Sequence, residues 1–196
     1  EIHERLVGSE MCIRDRVDED DSTLDILSQP LTVSASQKKH LTVKLPRSMV
    51  LHELDIHTVS ADVSVDLTEE DTLTLQELDV SSVSGNVSVS AANAGEISLS
   101  TTSGAVSGSV RTAKLEADTV SGTVALTLEV LPTELEVETV SGGVALTLTE
   151  KPGVPVDVVF RTVSGQLDSD VDSTAGADCV WELETTSGDA VIRIAA

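Results

Sequence analysis

Residues 118–128 read DTVSGTVALTL, and residues 138–148 read ETVSGGVALTL. Nine of these eleven positions are identical, and the same pattern recurs elsewhere in the chain. Aligned on the serine of TVSG, the chain contains seven repeats, numbered here in chain order, with anchors at Ser60, Ser84, Ser103, Ser121, Ser141, Ser164 and Ser187. The anchors are 18 to 24 residues apart. Periods of this length are typical of solenoid proteins, in which each turn stacks on a neighbouring turn.

Apolar residues alternate with polar ones on both sides of each anchor. The positions six and four before the anchor are apolar in every repeat, as in Leu115 and Ala117. The positions three, five and seven after the anchor are mostly apolar as well, as in Val124, Leu126 and Leu128. Alternation with a period of two predicts a β-strand with one buried face and one wet face. Each repeat is therefore predicted to form two short strands that meet at a Ser-Gly corner.

The corner carries glycine in six of the seven repeats and Ala61 in the first. Glycine permits a positive φ or a tight bend, and serine can bond its own neighbouring backbone. We therefore interpret the Ser-Gly pairs as structural corners and not as reactive sites. The pairs are Ser84-Gly85, Ser103-Gly104, Ser121-Gly122, Ser141-Gly142, Ser164-Gly165 and Ser187-Gly188. Thr or Ser stands two positions before every anchor, as at Thr119 and Thr139, and we expect these hydroxyls to bond along the stack.

The recurrence of one residue type at one point of every repeat predicts the fold. Like residues stack on like where each turn lies directly above the last, so we predict parallel stacking and not hairpins. The predicted fold is an all-β, parallel β-solenoid of about seven turns, roughly 30 Å long at about 4.8 Å per turn. Segments of unequal length, such as 68–77 and 111–114, separate the strands and are expected to project as loops.

Three regions are predicted along the chain. Residues 1–16, EIHERLVGSEMCIRDR, fit no later pattern and match the in-frame translation of a transposase-type sequencing adapter, so we interpret them as foreign to the protein. Residues 17–39 are predicted to be an acidic linker and the start of an irregular N-terminal cap, which protects an open solenoid end. Residues 40–196 are predicted to be the solenoid. On this interpretation, a signal peptide or membrane anchor is to be sought in native sequence upstream of Val17.

The charge and composition exclude some partners. The chain has 34 acidic and 12 basic side chains and a net charge of −22. Such a charge repels phosphate backbones, so nucleic acid is not an expected partner, whereas cations and basic partners are attracted. With one Phe, one Trp and no Tyr, the core must consist of Val, Leu, Ile and Ala. Outside residues 1–16 the one cysteine is Cys179, which we interpret as a small buried residue.

No motif of a catalytic or cofactor site stands out. A serine hydrolase needs one activated serine with a base and an acid, but the anchor serines are seven equivalent residues. Outside residues 1–16 the histidines are His40, His52 and His57, and we expect His57 to be an outward, solvated side chain. The sequence has no phosphate-binding glycine loop, and no cofactor is predicted.

Two acidic patterns remain. Asp168, Asp170 and Asp172 begin like a calcium loop, but Ser173 and Cys179 stand where glycine and glutamate are needed. This is a weak calcium candidate, and a solvated acidic surface is the alternative. An outward row of charges precedes the corners: Asp79, Glu116, Asp118, Glu136, Glu138, Glu182 and Glu184, with Arg161. Carboxylate pairs serve glycoside hydrolases, but a solubilising ladder explains this row better, since the sequence offers no aromatic platform for sugar.

The tandem motif, ending in TTSGDAVIRI at 185–194, resembles an adhesin-like family of β-strand-repeat proteins from bacteria and archaea. The resemblance covers about residues 40–196. It implies a right-handed, single-stranded parallel β-helix that is commonly attached to the cell envelope and has no established catalytic residues. It also implies a connection of some relatives to envelope-stress signalling.

Three functions follow as hypotheses. The first is a non-enzymatic β-solenoid in the cell envelope or outside the cell, an adhesin-like or spacer and interaction module for an unknown protein or glycan. The alternative is an extracytoplasmic sensor that docks a membrane partner in envelope-stress signalling. The third is a carbohydrate-active β-helix enzyme. A transmembrane anchor with a signalling domain upstream favours the second, whereas a cleavable signal peptide alone favours the first.

Overall fold

The computed structural model describes residues 2–4, 12–18, 23–29, 41–43, 52–67 and 75–195. These residues form strands and connections, and none of them lies in a helix long and apolar enough to cross a membrane. The strands are β1 (Ile2–Glu4), β2 (Cys12–Asp18), β3 (Thr23–Gln29), β4 (Leu41–Val43), β5 (Glu53–Thr58), β6 (Val63–Asp66), β7 (Leu75–Ser82), β8 (Val87–Ser103), β9 (Val106–Arg111), β10 (Lys114–Ser121), β11 (Val124–Leu128), β12 (Glu134–Ser141), β13 (Val144–Leu148), β14 (Val156–Ser164), β15 (Leu167–Ser169), β16 (Cys179–Ser187) and β17 (Ala190–Ile194).

Two stacks of parallel strands form the solenoid, one on each side of the corners. The strand before each corner joins what we name the pre-corner sheet, in the order β5-β7-β8-β10-β12-β16-β14. The strand after each corner joins the post-corner sheet, in the order β6-β8-β9-β11-β13-β17-β15. β8 belongs to both, because it runs from the end of repeat 2 into repeat 3.

The register places each turn on its neighbour position by position. Leu115 pairs with Leu135 on one side and with Ile97 on the other, and Ser121 pairs with Ser141. Burial alternates along the strands, so that in β11 and β13 every second residue is buried. The predicted parallel β-solenoid of about seven turns is confirmed.

The order of the repeats in space differs from their order in the chain. β16 of repeat 7 pairs with β12 of repeat 5 on one side and with β14 of repeat 6 on the other. β17 makes the corresponding pairs with β13 and β15. Repeat 7 therefore lies between repeats 5 and 6. The expectation that each turn lies directly above the last is wrong for these two turns.

The inward side chains explain why repeat 6 takes the outer position. In repeat 7, Trp181 and Ile192 are fully buried, whereas Val158 and Phe160 of repeat 6 are only partly buried. Repeat 6 also carries the polar Ser169 in register with Ile192. A side chain inside a solenoid is covered completely only where a turn lies on both sides of it. Since full burial of a large apolar side chain is worth about 1.5–3 kcal/mol, the more apolar repeat gains more from the inner position.

The connection after β15 covers part of the outer edge of repeat 6. Ser173 Oγ accepts a hydrogen bond from the amide of Val158 at 2.9 Å and donates one to the carbonyl of Val158 at 3.3 Å. The amide of Gly176 donates to Asp157 Oδ2 at 2.7 Å. The hydroxyl thus replaces a neighbouring strand at one residue of β14, and occupied edges resist pairing with other chains.

The strands before the solenoid pair in antiparallel fashion, β1 with β4 and β2 with β3. β2 includes residues 17–18 and β3 covers residues 23–29. Part of the region predicted to be a linker therefore forms β-strands. The adapter origin of residues 1–16 stays a prediction. Residues 30–39 of the predicted linker and cap lie outside the described residues, as do residues 68–74 of the expected loop at 68–77.

Candidate functional site

The corner glycines are required by close packing between turns. A Cβ built on Gly142 would lie 1.6 Å from the carbonyl oxygen of Gly122, and one built on Gly122 would lie 1.7 Å from that of Gly104. The remaining corner glycines make the same approach at 1.9–2.1 Å: Gly85, Gly104, Gly165 and Gly188. Among the described glycines, positive φ occurs instead at Gly108 and Gly176. The positive φ that glycine permits is therefore not what the corners use.

The close packing at the corners tolerates the side chain of Ala61 because of the position of this residue in the stack. Its carbonyl oxygen lies 2.0 Å from the position of a Cβ on Gly85, so Ala61 is the residue approached in that contact. It belongs to the first turn of the described solenoid, where no described turn lies beneath it. The glycine contacts also follow the spatial order of the repeats, since Gly188 approaches Gly142 and Gly165 approaches Gly188.

The anchor serines join the turns through their main-chain carbonyls. The amide of Gly142 donates to the carbonyl of Ser187 at 3.2 Å, and the amide of Gly188 donates to that of Ser164 at 3.1 Å. The anchor residues are exposed in all seven repeats. His57 Nδ1 forms a short contact with Ser81 Oγ, and Ser81 is not an anchor. These positions agree with a structural corner, and the role of the hydroxyls at Ser84, Ser103, Ser121, Ser141, Ser164 and Ser187 stays a prediction.

Most of the Thr and Ser residues two positions before the anchors are buried at the corner. Thr58 Oγ1 donates to Ser82 Oγ at 3.0 Å, which is the expected bond along the stack. Thr101 Oγ1 instead donates to the carbonyl of Gly85 at 3.0 Å. The hydroxyls of Thr139 and Thr185 are buried without a hydrogen-bond partner in the described part of the chain. The row is buried in five of the seven turns, whereas Thr162 is exposed, and it makes hydrogen bonds at only some of the turns.

The calcium candidate lies at the end of repeat 6, where an arginine engages two of its carboxylates. Arg193 forms a short ion pair with Asp168 and lies 3.6 Å from Asp170 Oδ1. The guanidinium lowers the pKa of Asp168 through its hydrogen bond and its charge. The described residues contain no group of three His, Cys, Asp or Glu that could hold a metal ion. Calcium binding by these carboxylates with Asp172 stays a prediction, and Arg193 competes with it.

Six carboxylates lie together on the outward side of the pre-corner sheet. We name them the acidic array: Glu116, Asp118, Glu136, Glu138, Glu182 and Glu184. They form two rows of three in register across β10, β12 and β16, with neighbours about 4.8 Å apart across the strands. The acids were recognisable in the sequence. The continuous array could not be recognised in the sequence. A stack in chain order would place Val159 and Arg161 of repeat 6 beside repeat 5 and so interrupt the rows of carboxylates.

Within the described ranges, the ion pairs on this face of the sheet lie at the two ends of the acidic array. Lys114 Nζ lies 2.5 Å from Glu96 Oε1, and Arg161 lies 3.3 Å from Glu182. Among the described residues, Glu182 is the one member of the acidic array in an ion pair. The centre of the array therefore keeps its negative charge.

Burial and mutual repulsion raise pKa values within the array. The pKa of Asp118 is raised to about 6, because its carboxyl is half-buried and because Glu116, Glu138 and Glu136 surround it. The pKa of Glu136 is raised as well, by partial burial and by its carboxylate neighbours. In the described structure, Asp118 Oδ1 is buried without a hydrogen-bond partner. Burial and repulsion between the carboxylates thus make the charged form of the array less favourable.

A shallow groove joins the array to exposed valines beside the corners. The groove has a volume of about 360 Å³, and its lining includes Asp118, Glu138 and Glu184 together with Val120 and Val140. Both valines are 50 % exposed. They belong to what we name the valine row, the exposed residues directly before the anchors: Val59, Val83, Val120, Val140 and Val163. The surface therefore offers negative charge and apolar contact side by side.

The outward side of the post-corner sheet has a different character. Its centre carries small, uncharged residues on β9, β11 and β13: Ser107, Ser109, Ala125, Thr127, Ala145 and Thr147. The charge of the middle turns is thus concentrated on the pre-corner sheet.

These features define the class as a single-chain parallel β-solenoid with an acidic array on one sheet. The chain belongs to the Toastrack family, DUF4097, whose match covers residues 6–194. No curated protein and no solved structure matches the chain. The family is one of uncharacterised solenoid domains, so membership supports the fold and brings no activity with it.

Proposed function

We propose that this domain is a non-enzymatic interaction module that binds a basic protein segment through the acidic array and the valine row. The observation that supports this most directly is the stack of carboxylates on three neighbouring turns, of which one has an ion pair among the described residues. Like charges opposite each other destabilise a sheet. A bound cationic partner would relieve that repulsion. A surface with a purely structural role would gain nothing from keeping these carboxylates side by side.

The dimensions of the surface define the chemistry of the partner. Carboxylates recur about every 4.8 Å across the strands and about every 7 Å along each strand. Several Lys or Arg side chains of one segment can therefore each meet a carboxylate. The half-exposed Val120 and Val140 beside them favour a segment that also carries aliphatic or aromatic side chains. Complementary charge orients such a partner and accelerates its association.

A peptide-binding measurement tests this function. The probe is a synthetic amphipathic peptide rich in lysine and leucine, and the same peptide with glutamate in place of lysine is the negative control. We expect the lysine peptide alone to bind, more weakly at high salt. The variant Glu138→Gln/Glu184→Gln should weaken binding by about tenfold, because it removes two adjacent carboxylates of the array.

The matched control is Asp172→Asn/Asp178→Asn. It removes the same amount of charge from exposed positions in the connection 170–178, outside the array. Its affinity should stay within about twofold of the native value, since distant exposed charges are screened. Equal losses in both variants would mean that the peptide responds to net charge alone, and the proposed surface would be wrong.

We place the domain in the cell envelope or outside the cell, as an adhesin-like or spacer module. The support is the resemblance of the repeats to the adhesin-like family. The alternative, a sensor of envelope stress that docks a membrane partner, can use the same acidic array. Sequencing the gene upstream of the codon for Val17 tests which of the two holds. A transmembrane anchor with a signalling domain supports the sensor, whereas a cleavable signal peptide alone supports the secreted module.

The non-enzymatic part of the proposal has its own test. Neighbouring carboxylates such as Glu138 and Glu184 are the groups that a glycoside hydrolase or lyase would use. Incubation with a panel of acidic polysaccharides should give no product. Turnover that the variant Glu138→Gln/Glu184→Gln abolishes would contradict the proposal and establish the enzyme.

A further inference from the structure

Repeat 7 occupies a slot that earlier parts of the chain build on both sides of it. The amide of Val144 on repeat 5 donates to the carbonyl of Asp189 at 2.9 Å, and the amide of Ala190 donates to the carbonyl of Gln166 on repeat 6 at 2.9 Å. At the far end, the amide of Ala195 donates to the carbonyl of Leu148 at 2.8 Å. The slot is therefore lined on both sides by hydrogen-bonding backbone.

The side chains of repeat 7 fill the slot completely. Trp181, Ala190 and Ile192 are fully buried. Trp181 Nε1 donates a hydrogen bond of 3.1 Å to the carbonyl of Pro132, in the connection between repeats 4 and 5. The segment is therefore a fully buried layer of the core.

This arrangement imposes an order on folding. Repeats 1 to 5 can stack as they leave the ribosome, since each pairs with the one before it. Repeat 6 cannot take its place until repeat 7 covers repeat 5, because every strand pair of repeat 6 is made with repeat 7. Until residues 179–195 are inserted, the edges of β12 and β13 and the core beside them remain uncovered. Such an open state accepts any copy of the missing segment.

The connection between repeats 6 and 7 is long enough to let the segment leave. Residues 170–178 are mostly exposed, and nine extended residues span up to about 30 Å once the hydrogen bonds of Ser173 and Gly176 to β14 are broken. The step between adjacent turns is only about 4.8 Å. The ion pairs that hold repeat 6 against repeat 7, Arg161 with Glu182 and Arg193 with Asp168, are exposed and contribute little.

We propose that repeat 7 is an exchangeable segment, and that two copies of this chain dimerise by inserting each repeat 7 into the slot of the other copy. Every contact of the slot is kept in such a dimer, so concentration decides between the two forms. The partner here is a second copy, independent of the basic segment proposed for the acidic array.

The test traps the neighbours of repeat 7 with a disulfide in the full chain. Glu138 and Glu184 are register partners on neighbouring strands, and a Cα separation of about 4.8 Å suits a disulfide. Glu138→Cys/Glu184→Cys is built with Cys12→Ser and Cys179→Ala, refolded at low and at hundredfold higher concentration, and oxidised. Denaturing gels without reductant then separate monomers from disulfide-linked dimers. The matched control is Asp118→Cys/Glu138→Cys, which joins repeats 4 and 5, neither of which exchanges.

We expect the linked dimer of Glu138→Cys/Glu184→Cys to rise by at least about tenfold at the higher concentration, while the control pair forms its disulfide within one chain throughout. Disulfides confined to one chain under all these conditions would overturn the proposal. Linked dimers in the control as well would assign the association to another contact and would overturn it equally.

Discussion

Glu138 and Glu184 face each other in register on β12 and β16. Repeat 5 is therefore covered by repeat 7, and repeat 6 lies beyond it. This one relationship determines which residues form the acidic array and which repeat lies outermost among the described residues.

The repeat order can be checked by a pair of cysteine variants. Glu138→Cys/Glu184→Cys should oxidise readily within the monomer at low concentration, because their strands are adjacent. Glu138→Cys/Arg161→Cys should not, because β14 lies two strands from β12, at about 10 Å. Both variants carry Cys12→Ser and Cys179→Ala, and thiol titration after mild oxidation measures the outcome. A stack in chain order predicts the opposite result.

Gly142→Ala should strongly destabilise the protein. The new Cβ would lie 1.6 Å from the carbonyl oxygen of Gly122, so adjacent turns must separate at the corner. We expect a loss of more than about 2 kcal/mol in the free energy of unfolding, measured by urea denaturation. Gly143→Ala is the control, since the atom nearest to its Cβ would be the Asp189 carbonyl oxygen at 3.5 Å.

Ser141→Ala should cost much less than Gly142→Ala, because Ser141 is exposed and its carbonyl remains in the backbone ladder. At most one hydrogen bond is lost, worth about 1 kcal/mol. A larger cost at Ser141 than at Gly142 would contradict the close-packed corner.

Asp118→Asn should stabilise the domain at neutral pH. The pKa of Asp118 lies at about 6 in the folded protein, above its ordinary value of 3.8. The folded state therefore holds the proton more tightly than the unfolded state. The stability this contributes is fully present below pH 3.8 and is lost as the pH rises through about 6.

Thermal and urea unfolding between pH 4 and pH 8 measure that effect. The difference in stability between Asp118→Asn and the native chain should grow as the pH rises through about 6, and reach about 1 kcal/mol, because solvent screens a half-buried carboxyl. Asp178→Asn makes the same charge change at an exposed site away from the array. If both variants show the same pH dependence, repulsion within the array does not set the stability.

Trp181→Phe should destabilise the inner position of repeat 7. It keeps an aromatic ring in the core and removes the Nε1 donor, so the carbonyl of Pro132 loses its 3.1 Å partner. A buried acceptor left without a partner costs about 1–3 kcal/mol. Phe160→Leu, in the partly buried end repeat, should cost below about 1 kcal/mol. Unchanged stability of Trp181→Phe in urea would show that the bond contributes nothing.

Part of the proposed binding surface was readable from the sequence. The outward position of Glu116, Asp118 and Glu138 follows from the period-2 alternation around the anchors, and the structure places them there. The groove along Val120 and Val140 and the raised pKa of Asp118 were not readable. Both arise from the distances between turns, and alternation within one strand carries no information about which turn lies next to it.

The corner illustrates the same division. The recurrence of Gly after the anchor identified the corner in the sequence. From the sequence alone, the reason for these glycines was their backbone conformation, a positive φ or a tight bend. The structure gives a steric one, since the carbonyl of Gly122 occupies the space that a side chain on Gly142 would need. Contact between residues one turn apart cannot be recognised from either residue alone.

The sequence by itself determined the repeat, the two strands of each turn, their buried faces and the parallel stacking, because local alternation and recurrence decide these. The tertiary structure alone decided that repeat 7 lies inside repeat 6. Each repeat presents nearly the same backbone edge, so hydrogen bonding permits either order. Burial decides between the two orders. In the observed order, Trp181 and Ile192 of repeat 7 are covered by a turn on both sides. Repeat 6 suits the outer position, because it carries the polar Ser169 and because Ser173 bonds to its open edge.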